Sequence, residues 1–147
     1  MENRAIVGYV VGVGLAALTV LLARVAGFDR DRSFYPTIVI VIASYYLLFA
    51  AMGGSARALI AETVALAMFA GVAIAGFRFN AWLVVGALAA HGVFDFFHDA
   101  LIRNPGVPPW WPSLCLAYDL GLAAMVAWIL RADSERTQRV NAGVSPG

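Results

Sequence analysis

Apolar positions form five long runs, and a short polar or turn-forming segment separates each run from the next. The runs cover residues of about 5–26, 36–52, 58–76, 81–103 and 114–130. Each contains roughly 17 to 23 residues, which is the length that a helix needs to cross the hydrocarbon core of a bilayer. The pattern therefore predicts an all-α fold, a polytopic membrane bundle of about five transmembrane helices in one domain covering residues 1–131.

The segments between the runs carry residues that end helices. Residues 27–35 alternate Asp with Arg, Gly53-Gly54-Ser55 predicts a tight turn, and residues 77–80 predict a short one. The sequence NPGVPPWWPS at 104–113 holds four prolines and predicts an irregular loop, with its two tryptophans in the headgroup region. Residues 132–147 are polar and are predicted to be a disordered tail.

Composition supports the membrane prediction and narrows the chemistry. The chain is 62% hydrophobic and 13% charged, with a mean hydropathy of +0.81, which is too apolar for a soluble domain of this size. The net charge of +1 gives no argument for a nucleic-acid partner, so the expected partner is the lipid bilayer. Because Cys115 is the single cysteine, an internal disulfide and a cysteine-based zinc cluster are excluded.

The distribution of arginine predicts the orientation. Five spans place the two termini on opposite sides of the membrane. Arg4, Arg57 and Arg103 fall on the N-terminal side, and the other seven of the ten basic residues fall on the opposite side. Cytoplasmic segments carry an excess of basic residues, so we expect an N-out, C-in orientation in a bacterial inner membrane.

The fourth run carries ionisable side chains at membrane depth. His91, Asp95, His98 and Asp99 fall within an arc of roughly 100° on a helix and therefore share one face. Ionisable groups are costly in a bilayer and are kept where they face a protein interior or a watery cavity. We therefore expect this face to line a polar site that opens outward beneath the proline-rich loop.

Other helices bring polar groups to the same outer half of the membrane. Helix rise places Glu62, His98 and Asp119 about 6–8 Å below the outer boundary, with Asp95 about 12 Å and His91 about 18 Å below it. Tyr46 and Tyr118 can reach this layer. The simplest interpretation is structural: an i,i+4 ion pair between Asp99 and Arg103, a pair between Glu62 and Arg57, and hydrogen bonds between helices for the rest.

A metal centre is the leading chemical hypothesis. Asp95 and His98 are spaced i,i+3, as in the carboxylate–histidine pairs of metal-binding bundles, and Glu62 and Asp119 could complete the ligand set. Such a mixed nitrogen and oxygen shell suits a divalent metal such as zinc, iron or manganese. His91 lies about 10.5 Å from His98 along the helix axis, so it is expected to support the ligands or to belong to a second site. Whether such a centre is enzymatic stays open.

Two further hypotheses belong to other functional classes. His91, Asp95, His98 and the outer carboxylates could form a proton or ion relay, or part of a small-solute transporter, although the inner half of the spans lacks a matching ladder. Alternatively, the chain is a structural or assembly subunit of a membrane complex, in which the Gly8-x-x-x-Gly12 face packs against another helix. A homo-oligomer could complete the polar cluster from a second copy.

Three segments resemble a known group of proteins. SFYPTIVIVIASYYLLF, HGVFDFFH and NPGVPPWWPSLCLAYD are similar to a family of small bacterial multi-span membrane proteins, over about residues 34–130. The resemblance implies the same fold and membrane location and supplies no reaction. The three-His plus Asp/Ser pattern of seven-span membrane hydrolases is similar in kind, but this chain has two His and five spans, so that activity is not inferred.

Overall fold

Five helices form at the five predicted places. The structure, a computed structural model, describes residues 2–143, and the side chains of residues 5–142. The helices are α1 (Glu2–Ala26), α2 (Phe34–Met52), α3 (Ala56–Arg78), α4 (Trp82–Leu101) and α5 (Trp111–Gly143), with a 3-10 turn at Phe28–Arg30 between α1 and α2. All five are long and apolar enough to span a membrane, so the all-α prediction is confirmed.

Helix α4 lies at the centre of the bundle. It packs against α2, α3 and α5, whereas α1 packs against α5 alone among the long helices. Its buried residues are Val84, Ala87, Leu88, His91, Gly92, Asp95 and His98, which recur at three- and four-residue intervals. This spacing forms one stripe along the helix, so the neighbouring helices cover the face that carries His91, Asp95 and His98. Asp99, which was predicted to share this face, is exposed.

The bundle has an apolar half and a polar half. Val39 of α2, Leu88 of α4 and Leu122 of α5 meet in a core that lies toward the membrane side where α2 and α4 begin. The buried polar side chains lie in the other half, toward the loop at residues 102–110. The outward face is apolar, with Val25, Met52 and Phe79 each more than 70% exposed, as contact with lipid requires.

Glycines allow α1 to approach α5 closely. A Cβ atom at Gly8 would collide with Ser113, and one at Gly12 would collide with Leu114 and lie 2.9 Å from the Cβ atom of Ala117. A Cβ atom at Gly14 would meet nothing within 4 Å. The prediction that the Gly8–Gly12 face packs against a helix is confirmed, and its partner is α5 of the same chain. This face is therefore not free to bind another subunit.

Helix α5 begins three residues earlier than the sequence predicts. Pro112 lies in its first turn, where a proline leaves no hydrogen bond unmade, so the proline-rich segment ends sooner than its composition indicates. The Trp111 ring then packs against Phe49 and Tyr45, at ring-centroid distances of 4.9 and 5.1 Å, while Trp110 remains 44% exposed. Of the two tryptophans in this segment, Trp110 alone has the exposure expected at the membrane interface.

Helix α5 also extends past the predicted end of its span. It continues to Gly143, through most of the segment predicted to be a disordered tail, and residues 144–147 lie outside the described residues. The extension contains alanine, arginine, glutamate and glutamine, which favour helices, and Glu135 precedes Arg139 at i,i+4. Its side chains are exposed, so local helix propensity rather than packing favours this segment.

Candidate metal centre

Among the described residues, six polar side chains are buried in the half of the bundle nearest the loop at residues 102–110. They are Glu62, His91, Asp95, His98, Asn104 and Asp119. All except Asn104 are at most 2% exposed, so water does not solvate them within the chain. They form two clusters, and the residues of each cluster come from different helices.

The deeper cluster joins α4 to α5. His91 Nδ1 donates a hydrogen bond to Asp119 Oδ2 at 2.7 Å and also lies 3.2 Å from Asp95 Oδ2. One potential ligand atom from each of these three residues lies within 4.8 Å of the other two. This separation is short enough for the three side chains to hold one metal ion, and we call the cluster the His91 site.

The start of α5 and a glycine of α4 position the His91 site. Because α5 begins at Trp111, Asp119 lies about 12 Å from the start of its helix, while Asp95 and His91 lie about 9 and 15 Å from the end of α4. Asp119 is therefore deeper than predicted. A Cβ atom at Gly92 would lie 3.2 Å from the Cβ atom of Asp119, so a glycine here lets α5 approach.

The shallower cluster joins α3, α4 and the loop that follows α4. His98 Nε2 donates to Glu62 Oε1 at 2.8 Å, and Asn104 Nδ2 donates to the same oxygen at 2.9 Å. Asn104 Nδ2 also donates to the backbone oxygen of Tyr46 at 3.0 Å, while Asn104 Oδ1 accepts from the backbone N–H of Gly106 at 3.2 Å. Asn104 thus connects the loop to α2 and α3 by hydrogen bonds. We call this cluster the His98 site.

Aromatic rings enclose both imidazoles. The Tyr46 ring stacks on His98 with centroids 4.0 Å apart and an interplanar angle of 19°. Phe69 packs edge-on against His91 at 4.7 Å, and Phe94 contacts both imidazoles at 6.1 and 5.4 Å. Because Tyr46 contacts both His91 and His98, the two sites share one aromatic wall.

The two sites have more hydrogen-bond acceptors than donors. Within the described residues, no hydrogen bond reaches Asp95 Oδ1, Asp95 Oδ2, Asp119 Oδ1 or Glu62 Oε2, and the Tyr46 hydroxyl also lacks a partner. Three carboxyl groups meet two imidazoles here, and in the described chain no arginine forms an ion pair with them. Buried carboxylates are costly unless a charge neutralises them, so this arrangement favours a bound cation or added protons.

A cavity adjoins the His98 site at the loop that follows α4. It has a volume of about 330 Å³ and lies beneath the proline-rich loop, bounded by His98, Asp99, Asn104, Pro108 and Pro112 among others. This position agrees with the expectation of a polar site beneath this loop. The His91 site lies further in and is at most 1% exposed.

The four predicted metal ligands divide between the two sites. Asp95 and Asp119 belong to the His91 site, whereas Glu62 and His98 belong to the His98 site. His91, which the sequence placed in a supporting role or in a second site, lies among the group of possible ligands. The i,i+3 spacing of Asp95 and His98 places them on one face, but each bonds to a different neighbour because α3 and α5 lie on different sides of α4.

The other predicted supporting residues have separate places. Tyr46 contacts both sites, while the Tyr118 hydroxyl lies 3.2 Å from Thr19 Oγ1 on α1. The predicted Asp99–Arg103 ion pair is absent among residues 2–143, and so is the pair between Glu62 and Arg57. The first cannot adopt i,i+4 helical geometry because α4 ends at Leu101 and Ile102 is extended.

Two residues of the sites were not predicted as site residues from the sequence. Asn104 appeared there only as the first residue of the proline-rich loop, and Gly92 was not singled out. The available signal for Asn104 is an Asn-Pro-Gly sequence directly after a helix, which favours a turn that the asparagine side chain stabilises. Gly92 lies directly after His91, where a missing side chain permits close helix packing.

No family model, curated protein or solved structure matches the chain. The fold and the buried residues alone define its class. It is an integral membrane protein of five helices with a buried His/Asp/Asp group that could bind metal.

Proposed function

We propose that this membrane protein binds a divalent metal ion through His91, Asp95 and Asp119. The observation that carries the proposal is the convergence of three ligand atoms, from two helices, within 4.8 Å of one another at a buried position. One imidazole nitrogen with two carboxylate oxygens is a donor set that zinc, iron and manganese accept.

Charge balance supports a cation at this position. When ionised, Asp95 and Asp119 carry two negative charges, and a divalent ion would neutralise both. It would also provide a partner for carboxylate oxygens that have no hydrogen bond in the described chain. A buried metal ion would thereby offset a desolvation cost that hydrogen bonding to His91 alone leaves in place.

The proposed donor set is typical of catalytic rather than structural sites. Structural zinc sites use four protein ligands, whereas three protein ligands leave a coordination position for water or a substrate. The cavity beneath the loop reaches His98, and the Tyr46 ring contacts both His98 and His91. This geometry therefore favours an enzymatic role in addition to metal binding.

Metal content measured on matched variants tests the proposal. Purified protein in detergent is dialysed against Zn²⁺ or Mn²⁺, and bound metal is measured by elemental analysis. We expect about one ion per wild-type chain, loss of that ion in His91→Gln, and retention in His98→Gln. Wild-type protein without stoichiometric metal would contradict the proposal, as would His91→Gln that retains metal.

Proton transfer is the second candidate function. It is favoured by the outer cavity at His98 and by Tyr46, which contacts both imidazoles and lies beside Asp95. Tyr46 thus lies between the imidazole nearest the loop and the imidazole of the His91 site. In this case the wild-type protein would carry no metal, and Asp95→Asn would abolish a pH-dependent flux in liposomes.

The location and orientation are further parts of the proposal. A bacterial inner membrane is supported by the resemblance of three segments to small bacterial membrane proteins. An N-out, C-in orientation is supported by the three arginines on one side and seven on the other. In this orientation the proline-rich loop and the cavity at His98 lie on the outer side.

A further inference from the structure

A second cavity lies at the outer ends of α3 and α4. Its volume is about 410 Å³, and Arg57, Asp99 and Arg103 contribute its charged groups. Leu101 and Ile102 form part of its apolar wall. Arg57 and Arg103 belong to neither the His91 site nor the His98 site, whereas Asp99 also borders the cavity beneath the proline-rich loop.

The two arginines of this cavity are available for a ligand. In the described part of the chain no carboxylate lies within 4.0 Å of Arg57 or Arg103, and both side chains are exposed. Arg57 also lies in the first turn of α3, where the helix dipole adds partial positive charge. Two guanidinium groups from different segments therefore face one space, and neither forms an ion pair with the Asp99 carboxylate that shares it.

The position of the cavity indicates a lipid ligand. It lies where α3 begins and α4 ends, which is the level at which a phospholipid places its headgroup. Leu101 beside the cavity is 64% exposed and Ile60 of α3 is 69% exposed, so an apolar surface continues from the cavity toward the bilayer centre. Acyl chains attached to a headgroup in the cavity would contact this surface.

We propose that the cavity binds phosphatidylethanolamine, with the lipid phosphate between Arg57 and Arg103 and the lipid ammonium at Asp99. Guanidinium groups form charge-assisted hydrogen bonds with phosphate oxygens. An ammonium group donates hydrogen bonds to a carboxylate, whereas the quaternary amine of phosphatidylcholine has no N–H to donate. One acidic and two basic side chains thus match a headgroup that carries both charges. This proposal does not depend on a metal ion.

Lipid binding to the purified full chain tests the assignment. The protein in nonionic detergent is titrated with short-chain phosphatidylethanolamine, phosphatidylglycerol or phosphatidylcholine, and bound lipid is counted by native mass spectrometry. We expect phosphatidylethanolamine to bind most tightly. Arg57→Gln/Arg103→Gln should weaken it by about tenfold or more, while Arg32→Gln/Arg78→Gln, which removes two arginines near the opposite ends of the helices, should not.

Asp99→Asn and the headgroup alone complete the test. Asp99→Asn should abolish the preference for phosphatidylethanolamine over phosphatidylglycerol while leaving phosphatidylglycerol bound. Equal binding of the three lipids by the wild type, or unchanged binding by Arg57→Gln/Arg103→Gln, would overturn the assignment. Inorganic phosphate or phosphoethanolamine that displaces the lipid at similar concentrations would indicate a soluble phosphate ligand and would overturn the lipid assignment.

Discussion

At the His98 site, one carboxylate oxygen of Glu62 accepts hydrogen bonds from two side chains. His98 and Asn104 both donate to Oε1, and all three side chains are buried. In a low-dielectric interior, a buried donor that loses its acceptor costs more free energy than the hydrogen bond contributes when it is made. Glu62 therefore stabilises the contacts of α3 with α4 and with the loop after α4.

Replacement of Glu62 tests this role at the residue scale. Glu62→Ala would leave the His98 and Asn104 donors unpaired and should lower the free energy of unfolding by about 1–3 kcal/mol. Glu62→Gln keeps an acceptor oxygen and should lower it less. Unfolding is followed by circular dichroism as SDS is added to the protein in mild detergent. Glu62→Ala with wild-type stability would contradict the assigned role.

Sequence alone predicts which residue types are buried but not how they pair. The spacing of His91, Asp95 and His98 places them on one helical face, and the structure confirms that all three are buried. The neighbour that each residue contacts depends on where α3 and α5 lie around α4. Helical periodicity contains no information about these positions, so the two sites could not be separated in advance.

At the scale of elements, the contact between α4 and α5 forms the His91 site. His91 and Asp95 lie on α4 and Asp119 on α5, so the distance between these helices sets the distances between the possible ligands. Gly92 lies at this contact, where a Cβ atom would lie 3.2 Å from the Cβ atom of Asp119 and 3.4 Å from the backbone oxygen of Leu116. A larger residue must move α5 away from α4.

Two glycines of α4 allow a controlled test of this contact, because only one of them lies at it. Gly92→Val should displace Asp119 from His91 and weaken metal binding by about tenfold or more, comparable to the loss of groups that orient metal ligands. Gly86→Val introduces the same side chain in the same helix, where a Cβ atom meets nothing within 4 Å, and should bind metal as the wild type does. Metal affinity is measured by calorimetry. Equal affinities for the two variants would show that the close contact is unnecessary.

The ends of helices were harder to predict than their existence. Long apolar runs predict five helices because a spanning segment must satisfy its own backbone hydrogen bonds. The start of α5 was misplaced because Pro112 is compatible with a first helical turn. This three-residue difference corresponds to about 4.5 Å of depth, which moved Asp119 from the predicted level of His98 to a level between Asp95 and His91.

At the scale of the whole molecule, polar and apolar residues separate along the membrane normal. The apolar core around Leu88 and Leu122 packs one half of the bundle, and the two polar sites lie in the other half beneath the loop. The apolar half gives the helices a rigid contact, while the polar half contains carboxylates that need a neutralising partner. The proposed function therefore requires that this partner is a metal ion at the His91 site.

X-ray absorption spectroscopy of the Zn²⁺-loaded protein tests this central claim most directly. For zinc bound to His91, Asp95 and Asp119, we expect nitrogen and oxygen ligands at about 2.0–2.2 Å and scattering from one imidazole. The imidazole scattering should persist in His98→Gln. Zinc bound with two imidazoles, or an imidazole signal that His98→Gln removes, would contradict the assignment of the site to His91, Asp95 and Asp119.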